Sequence, residues 1–158
     1  HGPQAWRLAF WAPQLFIWLH FGIYLVGTIK DTGGPSMLPL LPVSDSAVWI
    51  SRKYRRGRGI QVGDVISFAH PIGDYNAIKR VVGMPGDFVL RDTPGEGEGM
   101  MIQVPRGHCY VVGDNLPWSR DSRMLGPIPL ALIQGKVNAT LWPFTRIGRV
   151  ENGLAPAL

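Results

Sequence analysis

The sequence predicts a mainly β body carried behind an N-terminal membrane-anchoring helix. Three observations lead there. Twenty glycines and fourteen prolines are scattered through 158 residues with no repeat period, which suits many turns and short strands rather than a helical bundle. Beyond residue 46, short runs rich in β-branched and aromatic residues recur between turn-forming clusters. Ahead of them lies a long apolar stretch over 5–29. The expected division is an anchor helix over 5–29, a β domain over 30–150 and a tail over 151–158.

Composition narrows the function. Hydrophobic residues make up 46% of the chain and charged ones 17%, too apolar for disorder. The single Cys109 excludes an internal disulfide. The histidines at 1, 20, 70 and 108 have no ligand-like spacing, so no metal site is expected. A net charge of +5 suits an anionic partner surface, either acidic lipid or nucleic acid.

The apolar stretch comes first in the chain. From Ala5 to Thr28 the only cationic side chains are Arg7 and His20. Residues 8–26, 19 in number, are apolar all round rather than on one face. A bilayer core needs about 20 such residues. Trp6, Trp11, Trp18 and Tyr24 suit interfacial anchoring, although Trp18 falls near the middle. Pro13, Gln14 and His20 interrupt the pattern, and a buried core helix or an uncleaved signal-like segment is the alternative. Arg7 on one side and Lys30 on the other leave the orientation unset.

Residues 47–50 read as a strand. It runs into Arg52, Lys53, Arg55, Arg56 and Arg58, five cations in seven residues. A patch for anionic lipid head groups or nucleic acid competes here with a solvated hairpin loop, which is the usual fate of a charge run. A turn at Gly63-Asp64 feeds a strand over 65–68. A second strand over 75–83 places Ala77, Lys79 and Val81 on one face and Ile78, Arg80 and Val82 on the other. A short strand covers 88–90, an exposed loop 93–99, and a hairpin 101–112 around Pro105-Arg106-Gly107. A late strand spans 132–141.

Three stretches carry candidate chemistry. In Gly33-Gly34-Pro35-Ser36-Met37-Leu38-Pro39 a serine is framed by residues of special backbone geometry. That is turn chemistry or a held nucleophile. Lys79, between Ala77 and Val81, is either an edge lysine reaching to water or a desolvated amine. Burial disfavours the ammonium, so such an amine can act as a general base and activate a serine. The stretch 113–126 packs polar residues behind an apolar strand. Asp121 and Arg123 can pair there, Asp114 and Asn115 can satisfy turn amides, and Ser119 or Ser122 can orient a neutral lysine. His70 and His108 stay open as alternative bases.

Together these stretches resemble the type I signal peptidases. Gly34-Pro35-Ser36-Met37-Leu38-Pro39 resembles their serine box, and Lys79 through Asp87 their lysine box. Gly113-Asp114-Asn115, Ser119 through Arg123 and Gly126 resemble their third box, and Gly63-Asp64-Val65 the strand between the first two. The Gly-Pro-Ser-Met form and the short Ser-to-Lys spacing are most similar to the mitochondrial inner-membrane branch. Bacterial and chloroplast branches, and an inactive lipid- or protein-binding module, are the alternatives.

The resemblance implies a body of mostly antiparallel coiled sheets and a Ser-Lys endopeptidase without a cofactor. It implies Ser36 as nucleophile, Lys79 as base and Ser119 as the lysine-orienting residue. Asp121 and Arg123 become a supporting ion pair, and Gly113 the point of close approach. Substrate would add as a strand near Pro35, Met37, Leu38, Tyr75 and Ala77. The implied partners are precursor polypeptides with cleavable sorting signals, membrane lipid and a paralogous second subunit, with no nucleic acid. The implied place is the mitochondrial inner membrane, facing the intermembrane space. Two positions depart from the family pattern: Gly34, where many bacterial relatives carry a hydroxyl oxyanion donor, and Leu40, where Thr is common.

Overall fold

The computed structural model describes residues 3–95, 97 and 99–153, with side chains from residue 10 onward except 23–25. Helix α1 (Pro3–Val26) opens the chain and accommodates Pro13 within it. It is ~36 Å long at the ordinary helical rise. Its described aromatic and aliphatic side chains lie open, Leu15 at 71% and Trp18 at 70% exposure. Among the described residues no helix is long and apolar enough to cross a membrane. The helix expected over 5–29 ends at Val26, because Gly27 and the β-branched Thr28 and Ile29 open strand β1 (Gly27–Thr32).

The body is one curled antiparallel sheet. Its further strands are β2 (Ser46–Ser51), β3 (Val65–Ala69), β4 (Asn76–Gly83), β7 (His108–Val112), β8 (Ile128–Pro129), β9 (Ile133–Trp142) and β10 (Gly148–Arg149). They run in the order β1-β2-β9-β3-β4-β7-β8, and β10 pairs with β9. A small second sheet joins β5 (Phe88–Leu90) to β6 (Met101–Gln103).

β3 lies inside the sheet, and its residues 65–68 are all buried. Its alternation sends Val65 into one core, with Met37, Leu41, Val48, Ile50 and Val137. Ile66 and Phe68 enter another, with Val81, Cys109, Val111 and Ile133. The serine stretch is thereby tied to the sheet through Met37, which is only 3% exposed.

Two sequence expectations change. The hairpin over 101–112 does not form: β6 pairs with β5, while β7 inserts between β4 and β8. Burial explains the split. Cys109, Tyr110 and Val111 are fully buried and demand neighbours on both sides, whereas Met101 and Gln103 stay exposed. Of the tail read over 151–158, residues 154–158 lie outside the described residues, and the residues before them contact the body. Asn152 Nδ2 donates to the Val62 carbonyl at 2.8 Å and Gly153 N–H to Gly63 at 3.3 Å, so these residues still pack on the body.

Candidate active site

Ser36 sits in a 3-10 turn, Pro35–Met37, that follows β1. Gly34 leads into it at φ 112°, a backbone region that favours glycine, and its N–H donates to the Val43 carbonyl at 2.6 Å. The Ser36 amide lies in the first turn of this element, where amides have no intrahelical acceptor. The third stretch clamps the turn from outside. Asn115 Nδ2 donates to the Pro35 carbonyl and the Asn115 N–H to the Ser36 carbonyl, both at 3.0 Å.

Lys79 projects from β4 with Ile66 as its cross-strand neighbour. Its Nζ lies 2.7 Å from Ser36 Oγ and 3.0 Å from the Ile78 carbonyl oxygen, and the residue is 5% exposed. Burial lowers the amine pKa below the ordinary lysine range. The charges of Asp121 and Asp114 pull it back up without overcoming burial. The edge-lysine reading therefore gives way to the desolvated amine.

Asp121 is fully buried and organises the third stretch. One of its oxygens accepts from the Gly113 N–H at 3.0 Å. The Arg123 guanidinium grips both oxygens, at 2.9 and 3.0 Å, and reaches the Leu116 carbonyl at 2.7 Å. Burial alone would raise the carboxyl pKa. Hydrogen bonds from Arg123 chiefly, side chain and backbone, helped by the Gly113 amide, hold it below its ordinary value.

Gly113 stands where the serine and lysine strands meet the third stretch. A Cβ there would fall 2.5 Å from the Ser36 carbonyl oxygen and against the Ser119 side chain. Gly113→Ala must push the serine turn aside. We expect cleavage to fall by about 100-fold, as for a small misplacement of reacting groups, with a urea-melt stability loss of ~1–3 kcal/mol. Unchanged kinetics would show that the close approach is dispensable.

Other residues fall differently from the sequence expectation. Ser119 Oγ is buried and has no hydrogen-bond partner within ordinary limits, so it makes no bond to Lys79 here. Ser122 Oγ instead accepts the Val111 N–H, a structural use. His70 stacks on Tyr75 and its Nδ1 accepts turn amides, while His108 Nδ1 meets the Arg106 carbonyl; neither contacts Ser36. Burial pushes the Cys109 thiol up to about 12, which leaves it inert as a nucleophile. Among the described residues no three His, Cys, Asp or Glu side chains converge to hold a metal.

A cavity of about 540 Å³ opens over the pair, lined among others by Gly33, Ser67, Tyr75, Ala77, Trp118 and Arg120. Met37 also lines it, whereas Pro35 and Leu38 lie outside its lining. The Pro35 carbonyl is committed to Asn115 and to the Leu38 N–H. Among the described residues two strand edges border the cavity unpaired. β1 pairs only with β2, and residues 76–79 of β4 pair only with β3, since β7 joins from Arg80 onward.

Sequence reasoning missed the reach of Asn115 and the role of Asp114. Asp114 receives Arg80 in a two-pronged pair, both contacts at 2.7 Å, which ties β4 to the third stretch. The adjacent Gly-Asp-Asn turn was the only signal, and nothing local reveals a partner 80 residues away. We expect Asn115→Ala to lower kcat about tenfold with KM little changed, since one hydrogen bond nets ~0.5–1.5 kcal/mol. Steady-state cleavage assays check this, and an equal loss in KM would assign Asn115 to substrate binding.

The family profile described as signal peptidase, peptidase S26, matches residues 6–93 and 90–142. The chain belongs to the signal peptidase family. It is thus a peptidase by descent. The mitochondrial inner membrane protease subunit 1 of Mus musculus is 38% identical over 146 residues, covering 92% of this chain and 87% of that one. The protein of the same name from Saccharomyces cerevisiae is 37% identical over 148 residues, covering 85% and 78%. A mitochondrial inner membrane protease subunit 2 from Danio rerio is 34% identical over 123 residues. A solved signal peptidase I from Enterococcus faecalis V583 aligns with 49% of this chain at 24% identity and a TM-score of 0.42, too slight a likeness to add to the family assignment.

Proposed function

We propose that this chain is a membrane-anchored serine endopeptidase that removes sorting peptides from precursors at the mitochondrial inner membrane. The observation that carries the reading is the 2.7 Å approach of Ser36 Oγ to a buried Lys79 Nζ at the wall of an open cavity. The precursor's extended segment enters between the free edges of β1 and β4 and adds as a strand, with backbone hydrogen bonds for affinity. Ala77 and Ser67 leave only shallow pockets along it.

The neutral Lys79 amine takes the Ser36 hydroxyl proton as Oγ attacks the scissile carbonyl. The Ser36 amide donates to the developing oxyanion. Gly34 supplies no side-chain donor, so the hole has one fewer contributor at that position. Lys79 then gives its proton to the leaving amine, which departs and leaves the acyl ester on Ser36. A water passes a proton to Nζ, attacks the ester and releases the acid, and Ser36 recovers its proton. The Asp121–Arg123 pair acts one layer out, holding Gly113 and the third stretch against the dyad.

The apolar α1 supports anchoring in the membrane, with the catalytic body facing the intermembrane space. The family likeness to subunits 1 and 2 of the mitochondrial protease supports assembly with a paralogous second subunit. Incubating the reconstituted chain with candidate intermembrane-space precursors, then sequencing the new N-termini, tests the proposal. A single discrete cut at a sorting-peptide boundary is the expected result. No cut in any precursor, with or without the paralogous subunit, would refute it.

A further inference from the structure

The basic run left unused by the active site occupies a defined place. β2 ends at Ser51, whose register partner is Gly27, the residue directly after α1. The junction is tight: a Cβ on Gly27 would run into the Trp49 ring and lie 2.8 Å from the Ile50 carbonyl oxygen. The basic residues follow at once, in two 3-10 turns over Arg52–Gly57. They therefore sit at the point where the helix leaves the body, at the end of β1 opposite Ser36.

Of the two readings the sequence offered, the hairpin loop does not form. β2 and β3 do not pair with each other, and the segment between them is pinned to the core. Tyr54 packs against the core cluster, with Lys136 Nζ 5.3 Å from its ring centre. Gly57, at φ 77°, leaves room for the Leu130 side chain, which a Cβ would approach to 2.9 Å. With Tyr54 and Gly57 turned in, Lys53, Arg55, Arg56 and Arg58 are all exposed. Among the described residues none of these four has a carboxylate partner; Lys136, the cation beneath them, is already engaged by Asp64 at 2.6 Å. A rigid display of unneutralised like charges repels itself unless an external anion covers it.

We infer that this turn is a docking surface for the head groups of anionic phospholipids, fixing the height and tilt of the body on its bilayer. The inference rests on the reading of α1 as the membrane anchor. A nucleic acid would meet the same charge, but α1 emerges beside the turn and an apolar helix brings a lipid surface to it.

The test reconstitutes the full chain with vesicles of phosphatidylcholine alone or mixed with phosphatidylglycerol. Flotation with the neutral vesicles reports the anchor by itself; a chain that stays in the soluble fraction would sink the anchor reading. Limited trypsin digestion then reports the turn, as the ratio of cleavage after residues 53–58 to cleavage after Arg146, at the other end of the sheet. We expect anionic vesicles to lower this ratio about tenfold relative to neutral ones, since each cation near such a surface contributes appreciably. High salt should restore it. The Lys53→Gln/Arg55→Gln variant, which keeps cleavage sites at Arg56 and Arg58, should lose most of the protection. An equal ratio in both vesicles with flotation intact would overturn the inference while leaving the anchor standing. Protection by a single-stranded oligonucleotide in neutral vesicles, with none from anionic lipid, would also overturn it.

Discussion

Ser36→Ala abolishes precursor cleavage while the protein folds as before. The hydroxyl has one described partner, Lys79 Nζ, so its removal deletes the attacking atom and little else. The bonds that shape the turn use backbone atoms: Gly34 N–H to Val43, and Asn115 to the Pro35 and Ser36 carbonyls. Lys79 keeps its contact with the Ile78 carbonyl. Loss of the nucleophile in a dyad of this kind leaves only binding and oxyanion stabilisation, so kcat/KM should fall by roughly 10⁴-fold or more. The melting temperature should stay close to that of the parent. Cleavage by Ser36→Ala at a rate near the parent's would remove Ser36 from the chemistry.

Lys79→Met has a comparable effect on rate, but unlike Ser36→Ala it raises stability at neutral pH. Among the described residues Lys79 is the one base hydrogen-bonded to the Ser36 hydroxyl, while His70 and His108 use Nδ1 within their own turns. The parent enzyme's kcat/KM should rise with pH as the amine loses its proton, with a midpoint below the ordinary lysine value of 10.5 because burial lowers it. The linkage follows from the same shift. Below the folded-state pKa the unfolded chain and the folded chain both hold the proton, and the folded state bears the whole cost of a buried ammonium. Between the lowered pKa and 10.5 the unfolded chain binds more protons, so stability climbs with pH; above 10.5 the cost is gone. Met fills similar space without charge. Lys79→Met should therefore be inactive yet more stable at neutral pH, with its advantage shrinking as pH rises towards 10.5. Denaturant melts across pH check this. A variant less stable than the parent at neutral pH would mean that the ammonium is compensated inside the fold.

The residues of the site were more legible in the sequence than their arrangement. Ser36 and Lys79 stood out because each broke a local rule: a serine framed by glycine and proline, and a charge on an apolar strand face. Those are local signals. Strand pairing is not local, and the hairpin expected over 101–112 failed for that reason. Proximity favoured β6 with β7, but full burial of Cys109 and Tyr110 drew β7 into the large sheet. β1 was hidden by its neighbour, since the apolar run of α1 continues into Ile29 without a break in hydrophobicity. The boundary became visible only where Gly27 meets Trp49 in space. Asn115 read as turn chemistry because its partner lies on the serine loop. Ser119 was expected to orient Lys79, but its hydroxyl makes no bond to that amine.

The basic turn shows the same limit from the other side. Composition alone left Arg52 to Arg58 between a patch for anionic lipid or nucleic acid and a solvated hairpin loop, the usual fate of a charge run. Tyr54 and Gly57, which carry no charge, turned it into a held surface.

The account stands or falls on whether Ser36 becomes acylated. The most direct measurement incubates the chain with a serine-acylating lipopeptide analogue and maps the adduct by peptide mass spectrometry. The dyad predicts one ester-linked adduct, on Ser36, forming faster as pH rises and absent from both Ser36→Ala and Lys79→Met. An adduct on any other residue, or continued precursor cleavage with Ser36 unmodified, would contradict it.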